Sequence, residues 1–214
     1  MKVVKIKPEY ENLSNMYLLI DEETKEAALV DPGCFLDNAH KAIEENGVKI
    51  KYIFLTHGHF DHILGTYNAK EETGAQVVIN KEDEICLSSE EENLMVDFNI
   101  DYNLVPMKAD ILAEEGRIFK IGNSEIEVML TPGHSAGGVC YINHKDKFII
   151  SGDTLFYSTV GRTDKGRADA GELTASLKRI IALEGNYKVY PGHGPETELD
   201  HERTRNIFIR RVGR

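Results

Sequence analysis

The sequence predicts an α/β protein of four layers, two mostly antiparallel sheets covered by helices, and three observations lead there. Short β-branched and aliphatic runs come in groups with few helical stretches between them. Several runs, such as Tyr52-Ile53-Phe54-Leu55 and Gln76-Val77-Val78-Ile79, are apolar throughout, as strands buried on both faces are. A hydrophobic share of 41 % beside 29 % charged residues over 214 positions is that of an ordinary globular chain with a sizeable core. No Pro, Gly or Ser-rich linker interrupts it, so one domain over residues 1–214 is expected.

Element by element, Val3–Lys7, Met16–Ile20 and Ala27–Val30 read as an opening antiparallel meander, separated by Pro8–Asn15 and the charged turn Asp21–Glu26. Asp31-Pro32-Gly33 breaks the third strand. Leu36, Ala39, Ala42 and Ile43 then follow helical spacing until Gly47. The strand Tyr52–Leu55, a short helix over Ala69–Thr73 closed by Gly74, and the strand Gln76–Ile79 make a βα unit. Residues 88–116 are the least regular and are expected to form a lid. Strands follow at Arg117–Ile121, Glu125–Leu130, Val139–Ile142 and Phe148–Ile150, then a helix over Ala170–Leu183, a strand over Lys188–Tyr190 and a closing helix from about Glu198 to Arg210.

Twenty-five basic against 36 acidic residues give a net charge of −11, which repels a phosphate backbone and excludes nucleic acid as the expected partner. The basic tail Arg203, Arg205, Arg210, Arg211 and Arg214 reads as a solvated helix face. Apolar runs fall far short of the roughly 18 residues that cross a bilayer. The N-terminal stretch carries frequent charges and no apolar signal core, so a cytoplasmic protein is expected. Cys34, Cys86 and Cys140 are too scattered for a disulfide framework and suit a reducing compartment as small apolar fillers.

Chemistry concentrates in Thr56-His57-Gly58-His59-Phe60-Asp61-His62, directly after a buried strand. Imidazoles and carboxylates are ligands for zinc, iron or manganese. In extended chain His57 and His59 share a side, and a following turn brings Asp61 and His62 to a neighbouring point. His134 (in Thr131-Pro132-Gly133-His134-Ser135), Asp153 (in Ser151-Gly152-Asp153-Thr154) and His193 (in Tyr190-Pro191-Gly192-His193-Gly194) also stand where strands stop. Strand ends converging at one sheet edge build sites. Seven ligands suit two ions: His57, His59 and His134 for the first, Asp61, His62 and His193 for the second, and Asp153 with its two oxygens for both. His40, His144 and His201 lack such settings and read as ordinary polar residues. Gly161-Arg162-Thr163-Asp164 reads as a turn held by an Arg–Asp pair that shapes the site from behind.

The ordered set T-H-x-H-x-D-H at 56–62, G-H at 133–134, G-D at 152–153 and P-G-H-G at 191–194 resembles the metallo-β-lactamase superfamily over nearly the whole chain. The resemblance implies the αββα sandwich, with mixed sheets and a dinuclear centre at their edge. Within the superfamily the contexts of His134 and of Gly161–Asp164 are most similar to the glyoxalase II-type hydrolases, here as a compact single-domain relative. That likeness implies hydrolysis of a thioester such as S-lactoylglutathione, a small-molecule substrate. Two divalent ions, zinc first with iron or manganese also suited, would lower the pKa of a shared water and so provide a bridging hydroxide as nucleophile. Asp61 is the expected proton-handling residue. Persulfide dioxygenases are also similar, and imply instead one iron held by His57, His134 and Asp153.

Overall fold

A computed structural model describes residues 1–10 and 13–212; part of the Pro8–Asn15 loop and Arg214 of the basic tail lie outside them. Strands β1 (Lys2–Ile6), β2 (Met16–Ile20) and β3 (Glu26–Val30) form the antiparallel meander. Helix α1 (Asp37–Asn46) then crosses over to β4 (Lys49–Phe54), which lies parallel to β3. Short helix α2 (Phe60–Ile63) and helix α3 (Thr66–Thr73) lead to β5 (Gln76–Ile79), parallel to β4. After a 3-10 turn over Lys81–Leu87 and helix α4 (Met95–Phe98), β6 (Ile111–Leu112) adds parallel to β5. This sheet is therefore mixed, since each helical crossover brings the chain back to the end from which it started.

The second sheet has the order β14-β13-β10-β9-β8-β7. Its members are β7 (Ile118–Ile121), β8 (Ser124–Leu130), β9 (Val139–Asn143) and β10 (Phe148–Gly152), followed after an excursion by β13 (Lys188–Pro191) and β14 (Thr197–Glu198). The excursion holds a small hairpin, β11 (Leu155–Phe156) with β12 (Thr159–Val160), and helix α5 (Ala170–Ile181), which makes β13 parallel to β10.

Alternation along the strands builds the layers. Met16, Leu18 and Ile20 face α1 and α3, while Tyr17 and Leu19 face the other sheet. Between the sheets Phe54 stacks on Tyr141 with ring centres 4.5 Å apart and meets Phe119 edge-on at 5.1 Å. On the far side Ile142, Ile149 and Val189 pack under Leu173, Leu177 and Ile180 of α5. The result is an αββα sandwich.

Two expectations need correction. The single closing helix is two, α6 (Leu199–Arg205) and α7 (Ile207–Val212), because Asn206 turns extended and its side-chain oxygen accepts the amide of Phe208 at 3.0 Å. Arg203 is not part of a solvated face: its guanidinium donates to the carbonyls of Ile181 (3.0 Å), Gly185 (2.8 Å) and Leu183, closing the C-terminal end of α5. Cys34, Cys86 and Cys140 are buried free thiols. Among the described residues no helix is long and apolar enough to cross a membrane.

Candidate metal centre

The seven residues arrive from four strand ends. His57 and His59 follow β4, and Asp61 and His62 lie in α2, whose one turn swings them round to a point beside the first two. His134 follows β8, Asp153 follows β10 and His193 follows β13. All seven side chains meet at one edge of the sandwich. His40, His144 and His201 stay outside, paired with Glu72, with Tyr187 and Glu127, and with Ser158 respectively.

Hydrogen bonds determine which ring nitrogen each histidine presents. Thr56 Oγ1 donates its only proton to Asp31 Oδ2 at 2.7 Å, so at 3.2 Å His57 Nδ1–H must donate to that hydroxyl, leaving Nε2 bare. His134 Nδ1–H donates to the carbonyl of Arg162 at 2.9 Å, and His62 Nδ1–H to Asp31 Oδ2 at 3.0 Å, so the neutral ring of each presents Nε2 without a proton. His59 turns Nδ1 to His57 Nε2 at 3.1 Å and to His134 Nε2 at 3.0 Å. Three nitrogens thus converge with at most one proton among them. On a tetrahedral ion with metal–nitrogen bonds of about 2.0–2.1 Å they would stand roughly 3.4 Å apart, so the trio fits a cation with little adjustment. Burial pushes His57 well below the usual histidine range and holds His59 down at about 3, so both keep the neutral, ligating form.

The neighbouring group is carboxylate-rich. Asp61 Oδ2 lies 2.9 Å from His193 Nε2 and 3.6 Å from His62 Nε2. Asp153 stands between the two groups, with Oδ1 at 3.4 Å from His62 and Oδ2 at 3.5 Å from His134 and 3.6 Å from His193. Burial opposes charge on His62, yet Asp61, Asp153 and Asp31 push it well above the usual value. Burial would likewise raise Asp153, but His62 holds it well below the carboxylate range. The carboxylates thus call for positive charge at this point. Two of the converging atoms, His62 Nε2 and Asp153 Oδ1, are buried and have no hydrogen-bond partner. Buried polar atoms without partners are rare, and their aim at a common point fits a cation there.

Two further carboxylates brace the cage and were not singled out in the sequence. Asp31 was read only as a strand breaker; it is buried, holds a left-handed φ of 49°, and its Oδ1 accepts the amide of Thr56 at 2.7 Å. Asp83, in the 3-10 turn, accepts the amide of Gly58 at 3.0 Å and that of Gly137 at 2.7 Å, joining the loops that carry His57, His59 and His134. An aspartate directly after a buried strand and before Pro32-Gly33 was the available signal for Asp31; nothing local marks Asp83. The expected role of Gly161–Asp164 takes a specific form: Arg162 supplies its carbonyl to His134, while its guanidinium forks onto Asp164 at 2.6 and 2.8 Å. At Gly192 a side chain would come within 2.1 Å of Asp153 Oδ1, so only glycine lets the His193 turn approach.

The cage opens on a cleft of about 610 Å³ lined by His59, Asp61, His134, Asp153 and His193. The rest of its lining is largely apolar, with Phe60, Leu94, Phe98, Ile100, Phe156 and Val160, and Arg162 and Lys165 also line it. The irregular segment 88–116 therefore contributes to this lining through its residues 94–100. His193 is the exposed member of the cage, at 40 % of its side-chain surface.

Comparison with known proteins agrees with this geometry. A family model described as the metallo-beta-lactamase superfamily matches residues 10–193. Hydroxyacylglutathione hydrolase GloC of Haemophilus influenzae is 32 % identical over 199 residues, covering 91 % of this chain and 92 % of the relative. The crystal structure of BLEG-1 B3 metallo-beta-lactamase superposes with a TM-score of 0.91 at 30 % identity, over 97 % of this chain and 99 % of that one. That of TTHA1623 in a di-iron-bound form superposes with a TM-score of 0.83 at 31 % identity, over 97 % and 100 %. The chain belongs to the metallo-beta-lactamase superfamily.

Proposed function

We propose that this protein is a metal-dependent hydrolase that cleaves an acyl thioester such as S-lactoylglutathione. The observation that carries the reading is the pair of ligand groups meeting at Asp153 in a cleft sized for a small molecule. His57, His59 and His134 would hold one divalent ion, Asp61, His62 and His193 a second, and Asp153 both; zinc, iron and manganese all suit the donor set. Bound there, the ions supply a nucleophilic water at neutral pH and a Lewis acid for the scissile carbonyl. The likeness to GloC, whose name records hydroxyacylglutathione hydrolysis, supports the thioester as the bond broken.

The chain's own residues do the rest. Asp61 turns Oδ2 towards His193 and His62, which leaves Oδ1 to orient the attacking water and take its proton. Asp31 and the Arg162 carbonyl keep His62 and His134 in register throughout. Phe60, Phe98 and Phe156 shield the acyl group from bulk water. A thiolate, with a conjugate acid near about 8.5, leaves without help from a general acid.

The test is elemental analysis of anaerobically purified protein, with S-lactoylglutathione hydrolysis and oxygen uptake on glutathione persulfide measured on the same sample. About two ions per chain with thioester cleavage is the expected result. One iron per chain with oxygen consumption would replace this reading by a dioxygenase that uses only His57, His134 and Asp153.

A further inference from the structure

We infer that Lys165 selects substrates bearing a carboxylate, by exchanging its contact with Asp97 for one with the substrate. The inference rests on the hydrolase reading only for the seat of the substrate in the cleft. Two non-histidine cations line that cleft, Arg162 and Lys165, in a chain whose net charge of −11 otherwise repels anions. They are held very differently. Both nitrogens of the Arg162 fork are taken by Asp164, at 2.6 and 2.8 Å. Lys165 Nζ has one carboxylate contact, Asp97 Oδ2 at 3.1 Å, and lies 5.8 Å from the centre of the Phe98 ring.

Lys165 therefore reaches from the 161–167 turn to α4. Gly166 sits close beside the start of that helix, where an added side chain would meet Leu94 at 3.2 Å. Lys165 and Asp97 are 37 % and 44 % exposed, so their pair is screened and costs little to break. A substrate carboxylate entering the cleft replaces that of Asp97 like for like. It keeps the ammonium over the Phe98 ring and adds the desolvation that the exposed pair lacks. Five of the seven converging residues line the same cleft as Lys165, and Lys165 is partly exposed, so a substrate with its thioester at those residues would direct its carrier's charge to this ammonium.

The test is binding by calorimetry to the metal-loaded protein, using thioethers that cannot be hydrolysed. The probes are S-methylglutathione, which carries carboxylates, the methyl thioether of N-acetylcysteamine, which is neutral, and that of 4′-phosphopantetheine, which carries a phosphate. The wild type is expected to prefer S-methylglutathione over the neutral probe. Lys165→Met should cut that preference about fivefold, and Asp97→Asn, which removes the competing carboxylate, should raise it about twofold. An unchanged preference in Lys165→Met, no preference in the wild type, or a loss confined to the phosphate probe would each overturn the inference. Failure of the hydrolase reading looks different: S-lactoylglutathione stays uncleaved while the Lys165-dependent preference persists.

Discussion

Asp31 Oδ2 accepts the Nδ1 proton of His62 at 3.0 Å, and neither side chain is exposed to solvent. The same oxygen takes the Thr56 hydroxyl, which in turn receives His57, so one carboxylate orients an imidazole of each ligand group. Asp31→Asn keeps a residue tolerant of the left-handed backbone but supplies a different donor pattern. Metal affinity should fall about 10–100-fold, with the His62 group emptied before the all-histidine group. Elemental analysis across a metal dilution series reads this out.

Gly192→Ala places a methyl group 2.1 Å from Asp153 Oδ1 and 2.7 Å from His62 Cε1. The turn must retreat, taking His193 with it. The expected variant folds with near-wild-type circular dichroism yet loses at least about tenfold in turnover and binds close to one ion instead of two. Retention of both ions and full turnover would show that the turn relaxes without moving its histidine.

Asp21 joins the sheets at the opposite edge. It accepts the amide and hydroxyl of Thr24 (3.0 and 2.9 Å), the amide of Asn123 (3.2 Å) and the hydroxyl of Ser124 (2.8 Å). These bonds, the Thr24 amide foremost, lower its carboxyl from 3.8 to about 2. A depressed carboxylate contributes stability that is present above its unfolded value and is lost as pH falls through the folded one. Asp21→Ala should therefore cost about 1–3 kcal/mol at neutral pH and flatten the acid limb of denaturant-measured stability between about pH 4 and 2.

Arg203→Met releases the carbonyls of Ile181, Leu183 and Gly185 at the end of α5. A loss of about 1–3 kcal/mol in urea unfolding is expected, with metal content and turnover unaltered.

The seven converging residues were legible because they sit in short motifs that follow strand ends, and because imidazoles and carboxylates clustered there are residue types that suit a cation. The braces behind them were not. Asp83 acts across 25 residues on Gly58 and across 54 on Gly137, a distance that no local pattern records. Arg162 acts through a carbonyl that any residue would offer. The layers could be read from strands that come in groups with few helices between them, whereas the parallel pairings of the first sheet depend on crossovers that composition does not orient. Asn206 interrupts what reads as one helix because its side chain caps the next one, and strands of two residues, such as Leu155–Phe156, are too short to show a period.

The Asp83 clamp makes the spacing of the cage a property of the polypeptide: its two bonds tie the His57–His59 segment to the loop after His134 by contacts internal to the chain, so the distance between those imidazoles is set by a carboxylate that is not one of the seven converging residues.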